Sequence, residues 1–328
     1  MTALPPDAPG VHWRPLAPAD DVAPLHALIR AGETADEAPF ATSLDEVRAQ
    51  VSDPELEPSA DVLVGTLEDG RLICVAAVHV RREVATRRAA TLYGTVHPDF
   101  RRRGLGTILL RWSEARARER LAEHDDGLPQ ALEAWAYAYW TDRRALFTAF
   151  GYRPIRYYEE MRRSLRDSIP AEPLRHGLRH EPWSRERDEQ VRLAHNEAFA
   201  DHWGSQPLTP DSWAHRFVGH PHFRADLSVC VLDGEEVAGY CLSYHSAEDV
   251  RVHGRLEGWL GQIGVRRPWR KQGLATYIIC EVMRRMAGAG LDHAVLVVDS
   301  DNPTGAAGLY RRLGFVTSHR ELRWAKDA

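Results

Sequence analysis

The chain is poor in the residues that mark several common classes of protein. It has only four cysteines in 328 residues, and no spacing among cysteines and histidines is typical of a zinc site. Each cysteine stands alone in an apolar run, so we expect buried free thiols in a reducing compartment and no bound metal: Cys74, Cys230, Cys241 and Cys280. Lysine is nearly absent, at Lys271 and Lys326 only, and arginine provides almost all of the positive charge.

Long apolar runs are also missing. No segment approaches the ~20 consecutive apolar residues that cross a bilayer, and the N-terminus lacks the charged and apolar regions of a secretory signal. The net charge is −5 and the pI is near 6.4, unlike a protein whose main role is to coat nucleic acid or an anionic membrane. We therefore expect a cytoplasmic protein with a flexible tail at residues 1–10, and neither nucleic acid nor a membrane as partner.

One pattern occurs twice, over residues 92–106 and again over residues 261–275. Each copy has an apolar strand, a short loop rich in arginine and glycine, and then an amphipathic helix. A valine precedes the first loop arginine by five positions, a proline lies between them, and a glycine follows that arginine by three. The separation of 169 residues is too long for a solenoid and suits a duplicated domain. The residues concerned are Val96, Arg101 and Gly104 in the first copy, and Val265, Arg270 and Gly273 in the second.

The segments around the two loops predict the same order of elements. A hairpin precedes each loop, a helix and a strand follow it, and a second short helix ends near a glycine, Gly151 or Gly314. We predict an α/β protein whose modules span residues 11–165 and 177–328, joined by a linker at residues 166–176.

The arginine- and glycine-rich loop suits an anion. It lies between a strand and a helix N-terminus, where backbone N–H groups lack intrahelical partners and the helix dipole favours negative charge. Small residues at positions 104, 106, 273 and 275 let these amides approach a phosphate group closely. Because the whole pattern occurs twice, a phosphate site is favoured over a purely structural turn.

These motifs resemble the acetyl-CoA loop of the GNAT superfamily of N-acetyltransferases. The second module adds a spaced set similar to the superfamily's next motif: Asn302, Ala306, Leu309, Tyr310, Gly314 and Phe315. The tandem layout, with segments 195–203 and 298–302, is similar to that of the mycothiol synthase group. The resemblance implies two GNAT-like modules, each with a central mixed sheet that is splayed at its centre and flanked by helices, and acetyl-CoA as the cofactor.

The resemblance also implies roles for residues of the second module. Three residues would pair their backbone with the pantetheine arm of CoA: Ile263, Gly264 and Val265. Seven would hold the pyrophosphate: Arg270, Lys271, Gln272, Gly273, Leu274, Ala275 and Thr276. Asn302 would bond the pantetheine or the acyl region. Tyr310 would protonate the leaving thiolate, and a tyrosine that only packs in the core is the alternative.

The first module keeps the loop but not the acid. The residues that would hold CoA there are Val96, Arg101, Arg102, Arg103, Gly104, Leu105, Gly106 and Thr107. Counting back four residues from Gly151 gives Phe147 instead of a tyrosine, and counting back twelve gives Tyr139 instead of an asparagine. We therefore expect the second module to be catalytic and the first to bind CoA without turnover.

Direct acyl transfer also needs a group that takes the proton of the amine. On a regular strand, Glu257 would share a face with Trp259, Gly261 and Ile263. A bulge would break this alternation, and an exposed glutamate without a catalytic role is the alternative. For the acceptor we expect contacts with His202 and Trp203, in a segment rich in aromatic and polar side chains.

We predict an acetyl-CoA-dependent N-acetyltransferase that acts directly on a primary amine of a small polar molecule or a peptide, as a monomer or homodimer. Mycothiol synthase proper is one alternative. The alternative of another class is a non-catalytic, CoA-binding regulatory protein. Tyr310 and Asn302 favour the enzyme, because a sensor has no use for a thiolate acid.

Overall fold

A computed structural model describes residues 2–5, 8–82, 84, 86–124, 126–301 and 305–328. The chain divides into two compact units. Unit 1 comprises Met1–Arg156 with Leu322–Ala328, and unit 2 comprises Tyr157–Glu321. Within the described residues, no helix combines the length and apolar character needed to cross a membrane.

Unit 1 consists of a sheet with helices. Its helices are α1 (Pro18–Ala35), α2 (Leu44–Val51), α3 (Pro58–Asp61), α4 (Leu105–Ala122) and α5 (Thr141–Ala149). Its strands are β1 (His12–Pro15), β2 (Val62–Thr66), β3 (Leu72–Val80), β4 (Arg88–Val96) and β5 (Gln130–Tyr137). They are ordered β1-β2-β3-β4-β5, antiparallel except for the parallel pair β4 and β5.

Unit 2 repeats this plan. Its strands are β6 (Arg153–Ser164, mostly in unit 2), β7 (Leu178–Pro182), β8 (Val229–Asp233), β9 (Glu236–Tyr244), β10 (Glu257–Val265), β11 (His293–Asp299) and the first part of β12 (Val316–Asp327). Its helices are α6 (Asp188–Phe199), α7 (Pro210–Trp213), α8 (Ala247–His253), α9 (Leu274–Gly288) and α10 (Ala306–Arg312). The strand order is β6-β11-β10-β9-β8-β7, and β10 and β11 are again parallel.

The predicted fold class is confirmed: both units contain a mixed sheet, and each parallel pair opens partway along. The pairing of β10 with β11 ends at Trp259 opposite Val295, although β10 runs on to Val265. The pairing of β4 with β5 ends in the same way at Thr91 opposite Glu133. The splay therefore occurs in both modules.

The division into units differs from the sequence-based limits at both ends of the second module. Residues 157–165 lie in unit 2, and the last seven residues of the chain count with unit 1. There Trp324 and Leu322 belong to the apolar core, with Trp324 6.0 Å from Phe147 between ring centroids. The amino-acid sequence does not predict that the end of the last strand belongs to unit 1. Its alternation of apolar and polar residues would fit the sheet of either unit.

The predicted tail and linker both make contacts. Thr2 Oγ1 donates a hydrogen bond to Glu119 Oε2 at 2.5 Å, and Ala8 packs against the unit 1 core. In the linker, Ser168 and Pro170 accept hydrogen bonds from arginines of unit 2 through their carbonyl oxygens. Both segments are thus at least partly held by the fold.

On the α6 side of the unit 2 sheet, the apolar core encloses a histidine–tyrosine pair. His195 Nδ1 and Tyr240 Oη are joined by a hydrogen bond of 2.7 Å. His195 also stacks on Phe199, with ring centroids 4.4 Å apart. Burial lowers the pKa of His195 from its ordinary 6.5 to about 4, so the imidazole is neutral in the folded protein at neutral pH.

We expect Trp324→Ala to destabilise unit 1 by about 3–5 kcal/mol, because a large side chain is removed from a closed core. Val316→Ala on the same strand is the matched control, since Val316 is 66% exposed, and should change the free energy of unfolding by less than about 0.5 kcal/mol. Urea unfolding followed by circular dichroism measures both. Equal midpoints for the two variants would contradict the assignment of Trp324 to this core.

A second expectation concerns pH. Between pH 6.5 and 4 the unfolded chain protonates His195 while the folded chain does not, so stability falls as the pH falls. The loss for this group approaches about 3 kcal/mol near pH 4. Urea midpoints measured across this range should fall less steeply in His195→Phe than in the wild type. Parallel profiles would show that His195 titrates normally in the folded state.

Candidate active site

The opening between β10 and β11 exposes one side of β10. From Leu260 to Val265 the strand is paired with β9, and among the described residues its other side has no strand partner. Unpaired N–H and C=O groups on such an edge can bind an extended chain that carries amides. Ile263, Gly264 and Val265, predicted to pair with the pantetheine arm, all lie along this edge.

A bulge at Gly261 changes which residues share a face. Leu260 pairs with Ser243 but Gln262 pairs with Leu242, so one residue of β10 is extra. Ile263 packs against the core on the α9 side, whereas a Cβ at Gly261 would meet the Tyr244 ring on the other side. The strand is thus not regular, and the bulge named above as the alternative is present: Ile263 does not share the face of Glu257 and Gly261.

The loop before α9 has the backbone of an anion site. Lys271 and Gly273 both have positive φ, at 60° and 81°, and α9 begins without a side-chain cap. The first N–H groups of the helix are thus not capped by a side chain, and the helix dipole adds to their attraction for an anion. A Cβ at Gly273 would have nothing within 4 Å, so the space beside this glycine, at the start of α9, is open.

The loop before α4 repeats this geometry. Arg102 and Gly104 have φ of 64° and 83°, and α4 also starts without a side-chain cap. Arg102 and Arg103 are exposed, while Leu105 is buried under the helix start. The two loops therefore have the same shape. Glycine occurs at both Gly104 and Gly273 because the backbone there is left-handed.

The first arginine of each loop braces the strand before it. Arg101 Nε donates to the carbonyl oxygen of Val96 at 3.1 Å, and Arg270 Nε donates to that of Val265 at 3.0 Å. The rest of each guanidinium contacts the end of the first helix of its module: Arg101 Nη2 binds Asp36, and Arg270 Nη2 binds the Ala198 carbonyl. This explains the five-residue spacing from valine to arginine.

The bracing alters the predicted role of these two arginines. Because their guanidinium groups bind protein partners, the loops offer an anion chiefly their backbone amides. Lys271, Gln272 and Gly273 are exposed, and Ala275 and Thr276 are half-buried in the first turn of α9. In the first module, Gly106 and Thr107 occupy the same half-buried turn.

Tyr310 lies in the apolar core of unit 2. It is 9% exposed on α10, and Ile263 and Val265 pack against the same cluster. Burial raises the pKa of Tyr310 above its ordinary value of 10, so the phenol keeps its proton at neutral pH. At the equivalent place in unit 1, Phe147 is 7% exposed and packs against Tyr152.

In the sequence, Asn302, twelve residues before Gly314, corresponds to Tyr139, twelve residues before Gly151. The structure describes only the second of these two residues. Asn302 lies outside the described residues. Tyr139 is 41% exposed and donates a hydrogen bond to the carbonyl oxygen of Glu37 at 2.9 Å. Tyr139 thus has a structural contact in unit 1.

Glu257 is buried, at 4% exposure, which excludes the alternative of a solvated glutamate. Its Oε1 lies 2.8 Å from Arg162 Nε and 3.4 Å from Arg255 Nε. The residue stands where β10 still pairs with β11, opposite His293. Because a Cβ at Gly258 would meet Met286 on α9, the Glu257 side chain faces the other side of the sheet.

His202 and Trp203 lie just beyond α6. His202 is half-buried with its ring 4.5 Å from that of Phe199. Burial, followed by the positive charge of Arg270, lowers the pKa of His202. His202 therefore lies within electrostatic range of the loop and is neutral at neutral pH. Trp203 is half-buried beside it.

Two acidic residues of this segment have a role that the sequence analysis missed. Glu197 accepts hydrogen bonds from Arg266 Nε at 2.6 Å and from the backbone N–H of Arg267. Asp201 accepts from Arg267 Nη2 at 2.8 Å. Together they fix the turn that leads into the loop. The signal available in the sequence is two acids four residues apart, one near the end of α6 and one just beyond it, and a pair of arginines before the loop.

A pocket adjoins the loop on the linker side. The lining residues come from the linker, β7, the turn before the loop and the start of α9: Pro173, Leu174, Arg175, Leu178, Trp269, Gln272, Gly273, Leu274 and Tyr277. Arg175 Nη1 donates a hydrogen bond to Gln272. A cation and two aromatic rings beside a phosphate loop suit the nucleotide end of a cofactor.

Comparison with solved structures places this fold among known enzymes. The structure of a GCN5-related N-acetyltransferase from Sphaerobacter thermophilus has a TM-score of 0.74 and 29% identity, over 99% of this chain and 97% of that one. A tandem GNAT protein from the clavulanic acid biosynthesis pathway has a TM-score of 0.68 and 19% identity, over 97% and 98%. The second likeness shows the fold alone.

Comparison with curated proteins gives relatives that align over more than two thirds of both chains. A mycothiol acetyltransferase of Streptomyces scabiei is 32% identical over 71% of this chain and 70% of its own. A mycothiol acetyltransferase of Nocardiopsis dassonvillei is 29% identical over 79% of this chain and 80% of its own. Both support the predicted resemblance to the tandem GNAT proteins of the mycothiol synthase group.

The profile of the acetyltransferase (GNAT) family matches the chain twice, over residues 28–152 and residues 188–315. Each match covers one strand–loop–helix site of the kind described above. The two matches, the splayed sheets and the relatives lead to one conclusion: the chain is an N-acetyltransferase and belongs to the GNAT family.

Proposed function

We propose that the second module transfers an acetyl group from acetyl-CoA directly to a primary amine of a small polar molecule or peptide. The observation that carries this proposal is the occurrence in unit 2 of three features together: the open β10 edge, the uncapped α9 N-terminus and the buried Tyr310. These features would supply a place for the pantetheine, a place for the pyrophosphate and an acid for the thiolate.

Acetyl-CoA would bind along β10 and over the start of α9. The backbone of Ile263–Val265 would pair with the pantetheine, and the amides from Lys271 to Thr276 would hold the pyrophosphate. The nucleotide end would occupy the pocket lined by Arg175 and Tyr277. Asn302 is proposed as a further contact of the pantetheine or acyl region.

Tyr310 would act as the acid. Attack of the amine on the thioester leaves a CoA thiolate, which must take a proton to depart as a stable thiol. The Tyr310 hydroxyl is protonated at neutral pH, so it carries a proton that the thiolate could take. Phe147 in the first module has none, so that module would bind CoA and leave it unchanged.

Glu257 is proposed to take the amine proton through water. It faces the side of β10 away from α9, and its contacts with Arg162 and Arg255 fix its position. His202 and Trp203, on the α6 side, would contact the acceptor. The mycothiol acetyltransferases among the relatives favour a mycothiol-related amine as acceptor, and mycothiol synthesis itself is the second candidate function.

We expect Tyr310→Phe to lower kcat by about 10²- to 10⁴-fold, the range for loss of a positioned acid. The affinity for acetyl-CoA should stay within about twofold, because the hydroxyl acts on the leaving thiolate. Thiol release and calorimetry measure the two quantities. Tyr152→Phe is the matched control, since Tyr152 is also buried but lies in the core of unit 1, outside the proposed site of the second module. A kcat near the wild-type value in Tyr310→Phe would remove this residue from the mechanism.

The two loops provide a matched pair of variants. Gly273→Leu places a side chain in front of the amides and should lower kcat/KM for acetyl-CoA at least ~100-fold, because about two charge-assisted hydrogen bonds are lost. Gly104→Leu should abolish CoA binding in the first module and leave kcat largely unchanged. Calorimetric stoichiometry and thiol release test both. If folded Gly104→Leu fails to acetylate, the roles of the modules are reversed or the two sites are coupled.

A further inference from the structure

Three side chains that can ligate a metal meet in unit 1, outside the acetyl-transfer site. Asp53 and Glu55 lie in the connection between α2 and α3, and His79 lies near the end of β3. One ligand atom from each lies within 4.8 Å of the other two. Their side chains are 16%, 10% and 17% exposed, in the same order, so the group is largely shielded from solvent.

The distances in this group suit a metal better than an ion pair. His79 Nε2 lies 3.3 Å from Asp53 Oδ2 and 3.6 Å from Glu55 Oε2, and it is buried without a hydrogen bond in the described structure. An imidazolium that donates to a carboxylate lies at about 2.7–2.9 Å. Ligand atoms around a tetrahedral zinc ion, with bonds of about 2.1 Å, lie about 3.4 Å apart.

The other carboxylate oxygens are fixed by the backbone. Asp53 Oδ1 accepts a hydrogen bond from the N–H of Glu55 at 2.8 Å, and Glu55 Oε1 accepts one from the N–H of Arg82 at 3.1 Å. Arg82 Nη2 also donates to the carbonyl oxygen of Pro54 at 2.8 Å. Such outer contacts orient the ligands of metal sites, and Oδ2 and Oε2 are the carboxylate oxygens that approach His79.

We propose that Asp53, Glu55 and His79 bind a divalent transition-metal ion, with zinc as the best fit. One neutral imidazole and two carboxylates balance its charge, and this donor set suits zinc more than magnesium, which prefers oxygen ligands alone. Three protein ligands leave a fourth position for water. The ion would tie the α2–α3 connection to β3.

This site departs from the expectation that no metal is bound. The sequence shows an Asp-x-Glu pair and a histidine 24 residues after Glu55, a spacing that matches no zinc motif. Only the fold brings the ligands together. The inference is independent of the transferase chemistry, since all three ligands lie in the module without the acid.

The test uses the full chain, freed of metal with a chelator and titrated with Zn²⁺ against a chromophoric indicator. We expect one equivalent to bind per chain and to raise the unfolding temperature. His79→Ala and the isosteric Asp53→Asn should each weaken the affinity at least ~10-fold. His97→Ala is the control, because His97 lies 3.8 Å from a carboxylate oxygen of the exposed Asp99 and no third ligand joins them among the described residues. This variant should bind like the wild type.

Co²⁺ gives a second readout, since intense visible absorption would report a four-coordinate site in the wild type and in His97→Ala. Circular dichroism of each variant without metal shows whether the variant is folded. If His79→Ala or Asp53→Asn is not folded, Glu55→Gln is used as the ligand variant in its place. Absence of saturable binding, or binding unchanged in folded His79→Ala and Asp53→Asn, would overturn the proposal. Loss of binding in both ligand variants but not in His97→Ala supports it.

Discussion

The hydrogen bond from the first loop arginine to the valine carbonyl five residues earlier is the interaction on which both modules depend. It closes the turn between the central strand and the following helix, and the same guanidinium reaches the end of the module's first helix. Without this brace, the strand end, the glycine and the helix N-terminus would not share one geometry. With it, Arg102/Gly104 and Lys271/Gly273 adopt the same pair of left-handed conformations.

The brace occurs in both units, but the proposed acid occurs in only one. Anion binding would rest on backbone amides, which any sequence with the right turn can supply. The proposed chemistry rests on a side chain, and the two copies differ there: Tyr310 is buried in the core of unit 2, and Phe147 occupies the corresponding position in unit 1. Both copies thus keep the backbone feature, while a single substitution separates them at the position of the proposed acid.

Much of this was predictable from the sequence, because the parts that recur follow local rules. The loop, its glycines and the elements around it have periodicity and turn chemistry that identify them. The helix and strand predicted after each loop are present, as α4 and β5 in unit 1 and as α9 and β11 in unit 2. Features that depend on contacts between distant segments were not predictable. The bulge at Gly261, the return of Leu322–Ala328 to unit 1 and the meeting of His79 with Asp53 depend on packing between distant segments.

The most direct measurement of the central claim is the release of free thiol from acetyl-CoA by the full chain in the presence of polar primary amines. The panel should include mycothiol-related aminosugars, aminoglycosides, polyamines and peptide N-termini, with product masses determined in parallel. The account predicts release that depends on one class of amine and saturates with it, with one acetyl group added to that amine. Tight binding of CoA with no amine-dependent release from any member of the panel would contradict it, and would favour a regulatory CoA-binding protein.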